Sequence, residues 1–201
     1  MLFFFKIKNL KTIGGKYNIS RIYKVFANLR KIYAGAKPIF HFNINFETPT
    51  YFNTLKGNFP IRLPIPAVIF SNLIRLWNSI SISNDIPAID HKTLINWIES
   101  HIYVSKCEIK TKLVHIGKPK RVGGFLGIVY FNIKKPNRNY YELFNQEEIM
   151  ENYLECSRDI NFLCKIAEYT NLGVNRTASM GVIKYNLRKK IGKNYNKNRE
   201  W

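Results

Sequence analysis

Between Ile39 and Phe46 the chain alternates strictly. Phe40, Phe42, Ile44 and Phe46 fall on one side, and His41, Asn43 and Asn45 on the other, the period of a half-buried strand. Glu47 to Thr50 ends it. The period then changes. Pro66 suits the first turn of a helix, where its missing N–H is not needed, and Phe70, Leu73, Ile74 and Trp77 form an apolar helical face up to Asn78. A polar loop over Ser79 to Ala88 precedes a short helix, Thr93 to Ser100, carrying Trp97. Two β-rich runs follow, Tyr103 to Ile116 and Val122 to Lys134. The turn between them, Gly117-Lys118-Pro119-Lys120-Arg121, is short enough to make them a hairpin. Gln146 to Tyr169 has helical spacing, with acidic residues in its first turns as the helix dipole prefers. Asn171-Leu172-Gly173 reads as its end, Val174 to Gly181 as a loop, and Val182 to Leu187 as a closing strand. The order from Pro38 is strand, helix, strand, strand, helix, strand. This is the ferredoxin-like βαββαβ pattern of an α+β domain, shared with RRM-type RNA binders.

The first residues read like the tail of a second copy. Leu2 to Lys11 ends a helix, Thr12 to Lys16 forms a glycine-bearing loop, and Ile19 to Val25 makes a strand. Lys6-Ile7 matches Lys165-Ile166, and Ile13-Gly14 matches Leu172-Gly173, both offset by 173 − 14 = 159 residues. Phe26 to Lys37 reads as a linker. The expected division is therefore residues 1–37 as the last helix and strand of a first ferredoxin-like domain plus linker, 38–188 as a second such domain that binds RNA, and 189–201 as a basic tail.

Charge changes the picture most. There are 32 Lys and Arg against 13 Asp and Glu, a net +19 that points to a polyanionic partner, nucleic acid before an anionic membrane surface. At 46% hydrophobic residues the chain still has ample material for a core. Cys107, Cys156 and Cys164 are odd in number and form no CxxC pair, which argues against a disulfide framework and a zinc cluster and fits a reducing, cytoplasmic setting. No stretch resembles a transmembrane span or a cleaved leader, no cofactor motif stands out, and no His/Cys/Asp/Glu set has metal-ligand spacing.

Candidate chemistry gathers in two places. In the loop Gly173, Asn175, Arg176, Thr177, Ser179 and Gly181, free backbone N–H groups and a guanidinium suit a phosphate, and the glycines allow close approach to a partner; a plain helix cap and turn is the alternative. On the hairpin, Lys118, Lys120 and Arg121 sit at the turn, Lys110 and Lys112 share a strand face, and Gly124 allows either a close backbone approach or a bulge. His41, on the polar face of the first strand, and His115, near the hairpin tip, are the two histidines placed to reach RNA, and imidazole suits acid–base chemistry near neutral pH.

Three segments, in order, resemble the repeat-processing endoribonucleases of CRISPR systems, within the RAMP superfamily. They are Phe46-Glu47-Thr48-Pro49-Thr50 with Leu63-Pro64-Ile65-Pro66 and Leu76-Trp77-Asn78; Val122-Gly123-Gly124-Phe125-Leu126-Gly127; and Leu172-Gly173-Val174-Asn175-Arg176-Thr177 through Met180-Gly181. Ser179 stands where the family often has glycine. The resemblance implies tandem ferredoxin-like domains, binding of CRISPR repeat RNA within pre-crRNA, and cleavage without metal through 2′-hydroxyl attack, leaving a cyclic phosphate. It also implies a catalytic histidine early in a first domain, to which no position here corresponds. The expectation is thus a member lacking most of that domain. The alternatives are a non-catalytic RNA-binding RAMP protein, a subunit of an effector complex with other CRISPR-associated proteins, and, from another class, a basic protein on membrane surfaces. A homodimer stays open.

Overall fold

The computed structural model describes residues 29–53, 59–81, 87–115, 121–136 and 146–187. The helix and strand expected within residues 2–25, the hairpin tip over 116–120 and the basic tail lie outside them.

Strand β1 (His41–Thr50) is central. Its alternation puts Phe42, Ile44 and Phe46 wholly in the core. After a minimal hairpin of β2 (Phe52–Asn53) and β3 (Pro60–Ile61), helix α1 (Pro66–Ser81) buries the predicted stripe Phe70, Leu73, Ile74 and Trp77, and Ile69 beside it. Helix α2 (His91–His101) starts two residues earlier than its apolar spacing suggests, because the Asp90 carboxylate caps it by accepting the Lys92 N–H. Strands β4 (Ile102–His115) and β5 (Arg121–Ile133) form the long hairpin. Helix α3 (Gln146–Thr170) and β6 (Ile183–Leu187) complete the unit.

The four main strands lie in the order β4-β5-β1-β6, with every neighbouring pair antiparallel. That is the sheet of a ferredoxin-like fold, as the element order predicts. One face carries the core, where Phe42 meets Phe70 of α1, and Trp77 meets Phe162 of α3 edge-on at 4.6 Å. The other face is polar. There His41 bonds Asn132, Asn186 bonds Asn43, and Lys184 pairs with Glu47.

Two further findings differ from the sequence reading. The stretch taken as linker is helical over 29–34, and Leu29 and Ala36 join the core while the Tyr33 ring meets Phe162 edge-on at 5.0 Å. And β1 runs through Thr50 instead of ending at Phe46. A register shift against β5 between Phe46 and Thr50 absorbs Pro49, which has no N–H for a ladder.

Candidate nucleic-acid interface

Glycine and proline at the far end of β1 bring four segments into a row. Lys112 of β4 lies opposite Gly124 of β5. A Cβ on Gly124 would stand 2.7 Å from the Thr50 backbone nitrogen, so β5 is pressed against the end of β1 there. On Thr50 and Tyr51 in turn sits the loop after α3, where a Cβ on Gly173 would come within 2.3 Å of the Tyr51 carbonyl oxygen.

The loop is bound down along its length. The Val174 N–H donates to the Tyr51 carbonyl at 3.0 Å, the Gly173 N–H to Asn72 Oδ1 of α1 at 3.1 Å, and the Val182 N–H to the Thr48 hydroxyl at 2.9 Å. Gly181 donates to the Pro49 carbonyl, and its own carbonyl accepts from Leu172 at 2.7 Å. Three of its residues with side chains, Asn171, Asn175 and Ser179, hold left-handed backbone, which costs an L-residue roughly 1–2 kcal/mol and Asn rather less. Gly173 and Gly181 are left-handed as well. Their lack of a side chain answers to the protein's own backbone: a Cβ on Gly181 would lie 1.7 Å from the Leu172 carbonyl oxygen. The sequence reading assigned that room to an outside partner; the folded chain itself fills it.

Arg176 opens a single 3-10 turn, Arg176–Ala178. It is half-buried, and its Nη1 is shut off from solvent with no hydrogen-bond partner. Burial pulls its pKa down from the usual arginine value. A guanidinium nitrogen held dry without an acceptor is costly, while the half-buried side chain as a whole stays partly open to an anion from outside. Ser179 is exposed at the far end of this turn.

The other candidates divide around this row. Lys110 and Lys112 are exposed on β4, paired with Leu126 and Gly124. Arg121 is exposed at the start of β5, opposite His115. Lys118 and Lys120 lie outside the described residues. Arg62 is a cation the sequence reading passed over; its Nε would be 3.4 Å from a Cβ on Gly123, so it lies against the turn end of the hairpin beside Leu113. Tyr51, Thr48 and Asn72, which hold the loop, were missed too. Of these only Thr48 carried a signal, lying within the family-like segment Phe46–Thr50.

The histidines do not converge. His41 begins β1, roughly 30 Å from Thr50 at the usual rise per residue, and bonds Asn132. His115 is exposed at the hairpin end of the ladder. His91 bonds the Ser71 hydroxyl at 2.9 Å, and His101 bonds the Trp97 carbonyl and stacks on its ring at 4.8 Å. Among the described residues no group of three or more His, Cys, Asp or Glu could hold a metal ion. No helix among them is long and apolar enough to cross a membrane.

Sheet order and helix placement define a ferredoxin-like α+β protein with a glycine-bounded basic loop and a projecting hairpin at one end. The sequence profile of the CRISPR-associated endoribonuclease Cas6 matches residues 44–183, and the chain belongs to that family. Solved structures share its fold. Thermus thermophilus Cas6 superposes with a TM-score of 0.62 at 18% identity, over 79% of this chain and 57% of that one. A Cas6 product complex does so with 0.58 at 15%, over 79% and 56%. The chain therefore spans little more than half the length of these relatives. No curated protein matches it.

Proposed function

We propose that this chain binds the repeat RNA of CRISPR transcripts at the end of the sheet where the loop 173–181 and the turn-side half of the β4–β5 hairpin both abut the end of β1, and takes part in the metal-independent processing of pre-crRNA. The observation that carries the reading is Arg176, whose Nη1 is dry and unpartnered within a loop bonded down on both sides. The side chain is only half-buried, and a phosphate oxygen suits the part of the guanidinium it leaves open. Lys110 and Lys112, exposed on one face of the adjoining hairpin, and Arg121, exposed on its other face, with Lys118 and Lys120 between these strands in sequence, supply cations for neighbouring phosphates. The net +19 suits such a partner. Membership of the Cas6 family supports the choice of repeat RNA over other polyanions. In the relatives' own complexes the bound species is named as a Cas6 product.

Titration of the chain with a repeat RNA across a salt series tests the reading. The log–log slope of affinity against salt should have a magnitude of several units, since each neutralised phosphate releases counterion at about 0.7 unit per contact on a single strand. Arg176→Ala should weaken binding by about 1–3 kcal/mol, the range for a charge-assisted hydrogen bond. A flat salt response, or an Arg176→Ala variant that binds like the wild type, would remove the assignment of this surface. Any cleavage observed should persist in EDTA and leave a 2′,3′-cyclic phosphate.

A further inference from the structure

The residue at the N-terminal boundary of the Arg176–Ala178 turn is Asn175, in left-handed backbone at φ 57, ψ 34. Asparagine in that position ordinarily turns its side chain onto the first N–H groups of the helix. Here it makes no such bond. Its Nδ2 instead donates to the Tyr51 hydroxyl at 2.6 Å, across 124 residues of chain. Tyr51 is 6% exposed, directly after β1, and its carbonyl already accepts the Val174 N–H at 3.0 Å. One buried residue thus grips two consecutive loop residues, one through its backbone and one through its side chain. The second of these is the left-handed joint from which Arg176 departs.

We infer that Tyr51 is a positioning residue for RNA: its hydroxyl holds Asn175 in the left-handed conformation that aims the Arg176 guanidinium at a phosphate. The inference rests on the proposed RNA site and names a residue that acts on it through another. Without the tether, Asn175 can leave its left-handed well for the ordinary helical or extended one, and the direction of Arg176 leaves with it. The Tyr51 ring and carbonyl keep their places, so the fold loses little. Burial raises the phenol's pKa, which keeps the hydroxyl neutral through the physiological range.

The test uses the full chain and a repeat RNA, with Tyr51→Phe, Arg176→Ala and the double variant. For each, the dissociation constant is measured over a salt series and the thermal midpoint without RNA. Tyr51→Phe should weaken binding roughly 3–10-fold, the scale of one neutral hydrogen bond. It should also lower the salt slope by somewhat under one unit, the loss of one phosphate contact, as Arg176→Ala does. Its midpoint should stay within a few degrees of the wild type. The double variant should bind no more weakly than Arg176→Ala alone, because both changes remove the same contact. A wild-type affinity or an unchanged salt slope for Tyr51→Phe overturns the inference, as do multiplying losses in the double variant or a collapsed midpoint. If Arg176→Ala itself binds like the wild type, the RNA site fails and the role of Tyr51 fails with it. That result is distinct from a failure of Tyr51→Phe alone.

Discussion

Gly181→Ala separates a glycine kept for the protein's own packing from one kept for RNA. Gly181 has φ +73, and an added Cβ would sit 1.7 Å from the Leu172 carbonyl oxygen and 2.7 and 2.8 Å from its carbonyl carbon and nitrogen. These are backbone atoms and cannot swing aside as a side chain can. Left-handed backbone costs alanine about 1–2 kcal/mol. Relieving the clash means parting Gly181 from Leu172, which breaks the 2.7 Å bond from the Leu172 N–H and strains the 3.3 Å bond to Pro49. Leu172 is fully buried, so its freed N–H finds no water, at about 1–3 kcal/mol. The sum is about 2–5 kcal/mol, a large share of the ~5–15 kcal/mol that holds a domain together. At ~2–4 °C per kcal/mol the midpoint should fall by roughly 4–20 °C. Gly123→Ala is the control. It meets only the ends of Leu113 and Arg62, at 3.3 Å and beyond, and should cost under about 1 kcal/mol. Both variants would be followed by urea and thermal unfolding monitored by circular dichroism. If Gly181→Ala melts within a degree or two of the wild type yet binds repeat RNA poorly, the reasoning fails, and the glycine makes room for the ligand.

Two other outcomes follow from buried charge. Arg176→Ala should leave the stability of the free protein unchanged or slightly raised, within about 1 kcal/mol, because the lost aliphatic packing is offset by removal of a buried donor without an acceptor; a denaturation midpoint several degrees lower would show that the arginine braces the loop. Asp159 of α3 has its pKa raised from 3.8 to about 6, first by burial and then by Glu155, with Arg158 opposing at 3.7 Å. Because the folded state favours the protonated acid, its contribution is fully present below pH 4 and is lost as pH rises through about 6. Asp159→Asn should therefore stabilise the protein at pH 7 by about 1–3 kcal/mol and gain nothing near pH 4, as chemical denaturation at the two pH values would read out. An equal gain at both would place its origin elsewhere.

The elements were legible because burial follows period. Phe42, Ile44 and Phe46 announce the central strand, and Phe70, Leu73, Ile74 and Trp77 the first helix, since one period suits a sheet facing a core on one side and the other suits a helix lying against it. The same arithmetic missed polar residues that do structural work. Ser157 and Asn161 interrupt the apolar spacing of α3, yet both are buried. The Ser157 hydroxyl accepts the Ile39 N–H at 2.8 Å, and the Asn161 amide donates to the Lys37 carbonyl at 2.7 Å, tying the incoming chain to the helix. A hydrophobicity pattern counts such residues as errors, because their partners lie more than a hundred residues away.

By itself the sequence determined the order of strands and helices, and through it the β4-β5-β1-β6 sheet, because right-handed crossovers leave a βαββαβ chain few other ways to pair. It also placed the basic loop between α3 and β6, and the basic hairpin before α3. What it could not supply is which distant residues close on that loop. Tyr51, Asn72 and Thr48 reach it across roughly a hundred residues or more of chain. No local period encodes such a contact, since the hydrogen bond exists only once the core has brought the two segments together. The same holds for Arg176. Its charge is plain in the sequence, but whether a guanidinium nitrogen lies in water or dry without a partner, as Nη1 does, depends on the packing around it.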